Sequence, residues 1–276
     1  MTPSPIETAC GAATHPGLRR RANEDAHLAA HPLFLVADGM GGHEAGATAS
    51  AAVVEAFAAL AGRDSIGIDD VRGALRRART AVEAIAAHQR AAGTTLTGVI
   101  VTDVGGAGYW LTINVGDSRT YRFAHGLLEQ ISVDHSVVQE LIDEGVLDGR
   151  AAAHDRRRNE ITRAIGAGSG GEPDFWLVPA EPGDRILLCS DGLSGEVDAD
   201  RIAQVLADVR DPQDAATRLV HEAMLRGGRD NITAVVVDAL RVAGDDDDAY
   251  DTAPAGARPS EVDADTRPRA ATRGTD

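Results

Sequence analysis

Acidic side chains stand beside the ends of short apolar runs along the chain, and their positions are the first sign of chemistry. Asp38 directly follows the run LFLVA, and Asp191 follows RILLCS. The others are Glu24 and Asp25 before HLAA, Asp117 within NVGDSRTY, and Asp230 before NITAVVV. Asp favours turns, so any one of these positions taken alone is best explained as a turn. So many carboxylates at predicted strand ends, each beside Gly or another polar residue, instead indicate a shared function.

Carboxylates gathered at the edge of a sheet would suit a hard divalent cation. Mg²⁺ and Mn²⁺ prefer carboxylate, carbonyl and water oxygens. After Asp38 the stretch GMGGHEAG carries glycines at positions 39, 41, 42 and 46. Such glycines could serve a phosphate, a metal or an ordinary tight turn. Because glycine lets a backbone carbonyl approach an ion without a Cβ in the way, we favour the metal.

Seven short motifs extend this pattern over almost the whole chain. In order they are RRRANEDA, VADGMGGHEAG, GTT, VGDSR, TRAIG, CSDGLSG and GGRDNIT. In this order they resemble the metal-dependent PP2C-type (PPM) protein serine/threonine phosphatases, most of all the bacterial branch. The resemblance extends from about Thr14 to Leu240. It implies an α+β fold, a four-layer α-β-β-α sandwich of two antiparallel sheets flanked by helices, with metals at one end.

The resemblance also implies a metal-binding role for six residues. Asp38 matches a carboxylate that bridges two metals, and Gly39 matches a residue that lends its carbonyl to one. The others are Asp191 and Asp230 as ligands of the second metal, Glu24 as a holder of metal-bound water, and Asp117 as a ligand of a third, weaker site shared with Asp191. The implied cofactors are two ions of Mn²⁺ or Mg²⁺, with the third at the weaker site.

The implied activity is hydrolysis of phosphoserine and phosphothreonine by a metal-activated water, in opposition to a Ser/Thr protein kinase in bacterial signalling. Asp38 and Arg20 are the catalytic candidates. Arg20 matches the arginine that grips the substrate phosphate, for which a bidentate guanidinium is suited. Arg19 and Arg21 flank it and remain alternatives. A covalent phosphoenzyme is not expected.

Two features leave alternatives open. Eukaryotic relatives have a histidine after the Asp-Gly pair, where this chain has Met40, as bacterial members do. His43 could protonate the leaving group, but we favour a role in packing or in capping the following helix. The segment 134–168 is expected to form a flap near the active site. Its arginines at 156–158 are either a solvated surface or a contact for the phosphopeptide.

Short apolar runs predict strands, and Ala-rich stretches with helical spacing predict helices. The strands are predicted at 33–37, 96–104, 109–116, 120–126, 185–190 and 232–240. The helices are predicted at 44–61, 69–92, 136–145, 198–209 and 212–226. Asp134 or Ser136 would cap the helix at 136–145, and Asp211 would cap the one at 212–226, with Pro212 at its first position. This grouping favours α+β layers over strict β-α-β alternation.

Composition excludes several classes of protein. The net charge of −16 disfavours a nucleic-acid binder. All 27 basic residues are arginine, which excludes Schiff-base chemistry and a Walker-type phosphate loop. No apolar run is long enough for a membrane span, and no secretory signal is recognisable, so a cytoplasmic protein is expected. The competing functions are a non-catalytic scaffold with this fold and another metal-dependent phosphoesterase such as a nuclease.

We expect three segments along the chain. Residues 1–7 would be a flexible N-terminus and residues 8–242 the phosphatase-like catalytic domain. Residues 243–276, which begin AGDDDD, are acidic and poor in large apolar residues, so a disordered tail is expected. Partners would be phosphorylated proteins and a cognate kinase, with no nucleic acid and no membrane span.

Overall fold

A computed structural model describes residues 4–42, 44–87, 92–152, 155–157 and 159–244. The strands are β1 (Ile6–His15), β2 (Ala26–Ala30), β3 (Leu33–Ala37), β4 (Gly39–Met40), β5 (Gly93–Thr94), β6 (Leu96–Val104), β7 (Ala107–Val115), β8 (Arg119–Ala124), β9 (Leu127–Gln130), β10 (Ile165–Gly166), β11 (Ser169–Gly170), β12 (Asp174–Pro179), β13 (Arg185–Cys189) and β14 (Ile232–Val242). The helices are α1 (Glu44–Ala58), α2 (Ile68–Ala86), α3 (Val137–Asp143), α4 (Gly149–Ala152), α5 (Asp191–Ser194), α6 (Ala199–Asp208) and α7 (Pro212–Leu225). None of these helices is both long and apolar enough to cross a membrane.

Two five-stranded antiparallel sheets form the centre of the molecule. One has the order β12-β7-β6-β3-β2, and the other has the order β1-β14-β13-β8-β9. A smaller sheet, β11-β10-β5-β4, lies where β3 ends and contains Gly39. The longest ladder pairs β1 with β14, from Ile6 opposite Val242 to His15 opposite Ile232.

The burial of β3 explains why its sequence is continuously apolar. Leu33 and Leu35 belong to the cluster that contains the buried faces of α1 and α2. Phe34 and Val36 belong to the cluster between the two sheets, together with Trp110 and residues of β13 and β14. Successive side chains of a strand point to opposite faces, so a strand covered on both faces needs apolar residues throughout.

Helices α5, α6 and α7 cover the outer face of the second sheet, which completes four layers. The predicted α-β-β-α sandwich is therefore confirmed. Arg185 on β13 anchors α6 to this sheet. Its guanidinium pairs with both carboxylate oxygens of Asp238, at 2.6 and 2.7 Å, and donates to the carbonyls of Leu206, Val209 and Arg210 at the end of the helix.

Helix capping follows the sequence closely at two sites. The Ser136 side chain accepts a hydrogen bond from the Gln139 N–H, so Ser136 is the cap of α3, and Asp134 pairs with Arg119 instead. Asp211 caps α7, with Pro212 at its first position, as predicted. Helix α2 ends at Ala86, earlier than the predicted residue 92.

The two ends of the described chain differ from expectation in one respect. Ile6 and Glu7, which the sequence placed in a flexible N-terminus, already belong to β1, and Ile6 is fully buried. An apolar side chain with no exposed surface is held by the core, so β1 begins two residues before the expected boundary. The predicted acidic tail lies outside the described residues beyond Gly244.

Glu222 on α7 generates a prediction about stability. Its carboxylate accepts hydrogen bonds from Arg201 on α6 and from Arg218 and Arg226, at 2.6–3.0 Å. The hydrogen bond from Arg201 contributes most to lowering the pKa of Glu222 to about 2. Because the pKa of Glu222 is lower in the folded protein than in the unfolded chain, its ionised carboxylate stabilises the fold. This stabilisation is present above the unfolded-chain pKa of about 4.3 and is lost as the pH falls towards 2.

We therefore expect Glu222→Gln to lower the free energy of unfolding by roughly 1–2 kcal/mol at pH 7, since the variant loses the negative charge that faces three partly exposed arginines and one of the two oxygens that accept from them. Urea denaturation at pH 7, 5 and 3 should show the difference from wild type narrowing as the pH falls below 5. Glu55→Gln on the exposed face of α1 is the matched control. Equal losses in the two variants would contradict the prediction.

Candidate active site

One open cleft of about 350 Å³ at the end of the two sheets brings the predicted site residues together. It lies where β3 and β13 end, where β7 turns into β8, and where β14 begins. Its lining includes all seven predicted residues: Arg20, Glu24, Asp38, Gly39, Asp117, Asp191 and Asp230. Residues separated by more than 200 positions along the chain therefore share one solvent-accessible surface.

Backbone and hydroxyl hydrogen bonds fix Asp38 at the end of β3. The Asp38 N–H donates to the Thr95 hydroxyl at 3.0 Å, and its carbonyl accepts from the Thr95 N–H at 2.9 Å and from the Thr94 hydroxyl at 2.8 Å. The Thr95 hydroxyl also lies 2.8 Å from the hydroxyl of Ser118, the residue after Asp117. The GTT motif thus positions one acid and links it to the turn that carries another.

Asn231 fixes the opposite wall of the cleft. Its side-chain oxygen accepts from the Glu24 N–H at 2.8 Å, and its amide donates to the carbonyls of Pro16 and Ala22, at 3.0 and 2.9 Å. The segment that carries Arg20 and Glu24 is therefore held against the start of β14. In the sequence, Asn231 stood out only as part of the motif GGRDNIT, although it directly follows the candidate ligand Asp230.

The glycines after Asp38 permit close packing of three segments. A Cβ on Gly39 would overlap the carbonyl oxygens of Glu24 and Gly46, and a Cβ on Gly46 would overlap the Glu24 carboxylate. These two glycines therefore bring the start of α1, the Glu24 segment and the Asp38 loop into contact. Gly39 itself lines the cleft.

Arg20 is paired with one of the acids of the cleft. Its guanidinium binds Asp230 at 2.7 Å, and about half of its side chain is exposed to solvent. The hydrogen bond with Asp230 contributes most to raising the pKa of Arg20, with further contributions from the charges of Glu24 and Asp38. Arg21 lines the same cleft, whereas Arg19 is not among its lining residues.

Crowding of carboxylates raises several pKa values in the cleft. Desolvation is the first cause in each case, followed by the neighbouring negative charges. The pKa of Asp117 rises to about 8, the next cause being Asp191. The pKa of Asp38 rises well above its ordinary value, with contributions from Asp25, Asp191, Asp117 and Asp230. The pKa of Asp191 is also raised, the next cause being Asp230. Carboxylates that repel one another in this way form a site that favours cations.

Asp25 is the acidic residue whose place in the site the sequence analysis missed. Its Oδ2 accepts hydrogen bonds from Ser190 at 2.8 Å and from Thr233 at 2.6 Å. Its Oδ1 is buried and has no partner among the described residues. Desolvation raises the pKa of Asp25 to about 7. The signal was its position directly after Glu24 and directly before a strand.

The donor set fits a hydrated divalent cation. Within the described residues, no three His, Cys, Asp or Glu side chains already surround one point closely enough to enclose an ion. Mg²⁺ keeps several waters and takes only one or two carboxylates directly, so an open cleft of oxygen donors suits it better than a closed cage. The unpartnered Oδ1 of Asp25 and the mutual repulsion of the acids also favour a bound cation.

A second chamber, of about 390 Å³, adjoins the cleft beneath the predicted flap. Asp117, Asn159 and Asp191 line both spaces, and Arg119 and Asp134 form a charged pair in the wall of the second. The run of three arginines is only partly described. Arg157 is exposed and pairs with Asp155 at 2.9 Å, whereas Arg158 and the candidate acid His43 lie outside the described residues.

Comparisons with known proteins agree on one family. A sequence model described as Protein phosphatase 2C matches residues 19–226. The serine/threonine protein phosphatase PstP of Mycobacterium tuberculosis is 38% identical over 230 residues, which are 81% of this chain and 43% of PstP. The serine/threonine phosphatase Stp of Listeria monocytogenes is 32% identical over 217 residues, which are 75% of this chain and 84% of Stp. The chain thus spans less than half the length of PstP.

Solved structures give the same result. A crystal structure of M. tuberculosis PstP has a TM-score of 0.79 at 36% identity and covers 85% of this chain and 99% of that chain. A structure of the PstP catalytic domain in complex with two manganese ions has a TM-score of 0.77 at 35% identity, with the same coverage of both chains.

Repulsion among the carboxylates leads to a prediction for the metal-free protein. The pKa of Asp117 is about 8 in the folded protein and about 3.9 in the unfolded chain. This raised pKa destabilises the folded protein by an amount that is absent below about pH 4 and grows as the pH rises towards 8. Asp117→Asn should therefore raise the melting temperature in excess EDTA, by about 3 °C or more at pH 8 and by less at pH 5.

Thermal unfolding followed by calorimetry at both pH values measures this effect. Asp103→Asn, at the exposed end of β6, is the matched control. The asparagine oxygen can still accept the hydrogen bond from the Gly106 N–H, so the melting temperature should be unchanged at both pH values. A lower melting temperature for Asp117→Asn at pH 8 would show that the carboxylate stabilises the metal-free fold, contrary to the prediction.

Proposed function

The chain belongs to the Protein phosphatase 2C family, and from this premise we propose that it is a metal-dependent protein phosphatase acting on phosphoserine and phosphothreonine. The observation that carries the proposal is the meeting of Asp38, Asp191 and Asp230 with Arg20 in one open cleft. Acids in such a cleft bind divalent ions, and an exposed arginine among them binds phosphate.

We assign the metal-binding roles to the residues predicted for them. Asp38, the Gly39 carbonyl, Asp191 and Asp230 would hold two Mn²⁺ or Mg²⁺ ions, with Glu24 binding their water and Asp117 belonging to a third, weaker site. When bound, such ions lower the pKa of a coordinated water and so supply the nucleophile at neutral pH. The PstP structure with two manganese ions supports the choice of metal.

Arg20 would orient the phosphoryl group. Its exposed guanidinium can donate two parallel hydrogen bonds to phosphate oxygens, which gain negative charge as the bond to the leaving oxygen breaks. Its hydrogen bond with Asp230 holds the guanidinium at the acid cluster before substrate arrives. Binding and orientation thus come from a side chain already aimed into the cleft.

The side chains near the cleft give no support to a covalent phosphoenzyme. Cys189 is fully buried, and desolvation raises its thiol pKa to about 12, so little thiolate exists at neutral pH. The Ser190 hydroxyl is buried, donates to Asp25 and accepts from the Thr233 N–H at 3.0 Å. Both residues are therefore structural in this proposal, and water is the nucleophile.

The physiological part of the proposal is that the protein opposes a Ser/Thr kinase in the bacterial cytoplasm. The names of its relatives support phosphoproteins as substrates. Cys10 and Cys189 are unpaired, as is usual for proteins kept in a reducing compartment.

Hydrolysis of a phosphothreonine peptide tests the activity. We expect turnover with Mn²⁺ or Mg²⁺, no turnover in excess EDTA, and a loss of at least about 1000-fold in kcat/KM for Asp38→Asn and Asp191→Asn, because each removes a carboxylate from the metal cluster. Asp103→Asn is the control, and a duplex DNA substrate separates a protein phosphatase from a nuclease. Full activity in excess EDTA would reject the proposal.

A second experiment tests the phosphate-binding arginine. Arg20→Ala should raise KM for the phosphopeptide by about tenfold and lower kcat as well, since it removes charge-assisted hydrogen bonds to phosphate, each worth about 1.5 kcal/mol or more, that strengthen as the phosphate oxygens gain charge. Arg21→Ala, at the neighbouring position in the same cleft, should change KM by less than about threefold. Steady-state kinetics at saturating Mn²⁺ measures both values. A larger effect of Arg21→Ala would transfer the role to Arg21.

A further inference from the structure

His135 lies at the base of the predicted flap, where the residues after Asp134 are hydrogen-bonded to the segment that contains Glu160 and Thr162. It is 5% exposed and directly follows Asp134, the partner of Arg119. Its carbonyl accepts from the Thr162 N–H at 2.9 Å, and the next residues bridge in the same way, since the Val137 N–H donates to the Glu160 carbonyl at 2.9 Å. The outgoing and returning segments of the flap are therefore joined at His135.

His135 also binds both backbone polar groups of Gly116, the residue before Asp117. The His135 N–H donates to the Gly116 carbonyl at 2.9 Å, and the Gly116 N–H donates to His135 Nδ1 at 3.2 Å. Asn114 donates to the same carbonyl at 3.0 Å. The N–H and the carbonyl of Gly116 therefore both have hydrogen-bond partners, which are His135 and Asn114.

The turn at Gly116 has little freedom to take another shape. Gly116 has φ +104°, and a Cβ there would overlap the side chain of Thr95, which itself holds the backbone of Asp38. The turn is therefore packed against Thr95 on one side and bound by His135 on the other. The N–H that the imidazole holds belongs to the peptide before Gly116, so a shift of the imidazole would reach Asp117 through the one intervening residue, Gly116.

The contacts of the ring define its tautomer. A backbone N–H can only donate, so Nδ1 accepts from Gly116, and in the neutral ring Nε2 then carries the hydrogen. Nε2 lies 3.0 Å from Asp174 Oδ2, which accepts that hydrogen. Arg163 Nη1, at 3.3 Å from Nε2, has no acceptor there, and its own hydrogen bond goes to Asp174 Oδ1 at 3.2 Å. Asp174 and Arg163 thus hold the outer edge of the ring.

We propose that His135 is a positioning residue that sets Asp117 through Gly116 and joins the flap base to the Asp117 turn. The proposal rests on the function proposed above, in which Asp117 binds the weaker metal ion. The imidazole touches neither substrate nor metal in this role. Residues that orient ligands from behind commonly change metal affinity by 10–100-fold when they are altered.

Two amide variants separate the two edges of the ring. In His135→Asn the new side-chain oxygen would stand as far from Cα as Nδ1 does, so this variant keeps an acceptor for the Gly116 N–H and gives up the contact with Asp174. In His135→Gln the new amide would reach as far as Nε2, so this variant keeps the contact with Asp174 and removes the acceptor from Gly116.

Mn²⁺ binding by equilibrium titration, with electron paramagnetic resonance of the free ion as readout, is the test. Asp117→Asn first identifies the class of Mn²⁺ sites that depends on Asp117. For that class we expect His135→Gln to raise Kd about tenfold and His135→Asn to change it by less than about threefold, while the Asp117-independent sites keep their affinity in both variants. The melting temperatures show how far each variant disturbs the fold.

Two results would overturn the inference. Equal Kd values for the Asp117-dependent sites in the two variants would reduce His135 to a structural role and leave the proposed function intact. Absence of Mn²⁺ binding by the wild-type protein would remove the proposed function as well. If His135→Gln fails to fold, nitrogen-15 NMR of histidine-labelled wild-type protein decides, because a protonated Nδ1 would exclude the hydrogen bond from Gly116 and an unprotonated Nδ1 supports it.

Discussion

Mutual repulsion among carboxylates is the constraint to which the rest of this structure is adapted. Asp25, Asp38, Asp117 and Asp191 all have pKa values raised first by desolvation and then by the charges of neighbouring carboxylates, among them Asp230. Left to side-chain forces alone, these groups would separate. They are held because their positions are fixed through the backbone, by strands that end at one edge and by the hydrogen bonds of Thr95, Asn231 and His135.

The support around the site is correspondingly polar and local. Thr95, Asn231 and His135 are almost fully buried, and the side chain of each binds the backbone of a candidate ligand or of its neighbour rather than a carboxylate. Gly39 and Gly46 add a different kind of support, since the absence of side chains lets three segments touch. Affinity for cations is thus separated from rigidity: the carboxylates supply charge, and neutral groups supply position.

The sequence predicted the core strands and the outline of the site well, for identifiable reasons. The bounds of β3 and β6 were predicted to the residue, because LFLVA is buried and apolar throughout, most of LTGVIVTDV is buried, and the two runs are followed by Asp38 and Gly105. β1 was missed because its sequence, IETACGAATH, is rich in small residues and only partly buried. The four-residue α5 is too short for periodicity to reveal.

Asp38, Asp117, Asp191 and Asp230 were found from strand ends and motifs. Asp25 was noted at a predicted strand end but given no role, and His135 was not noted, because their importance depends on contacts with Ser190, Thr233 and Gly116 that are not neighbours in the sequence.

The cleft straddles the seam between the two sheets. Asp38 follows a strand of one sheet, Asp191 and Asp230 flank strands of the other, and Asp117 lies in the connection from β7 to β8, which crosses between them. Shear of one sheet over the other therefore changes the spacing of the acids, even though no residue of the cleft moves within its own loop. Phe34, Trp110 and Val235 pack together in the buried cluster between the two sheets, so they resist this sliding movement. The packing of the interior therefore sets the distances between the acids in the cleft.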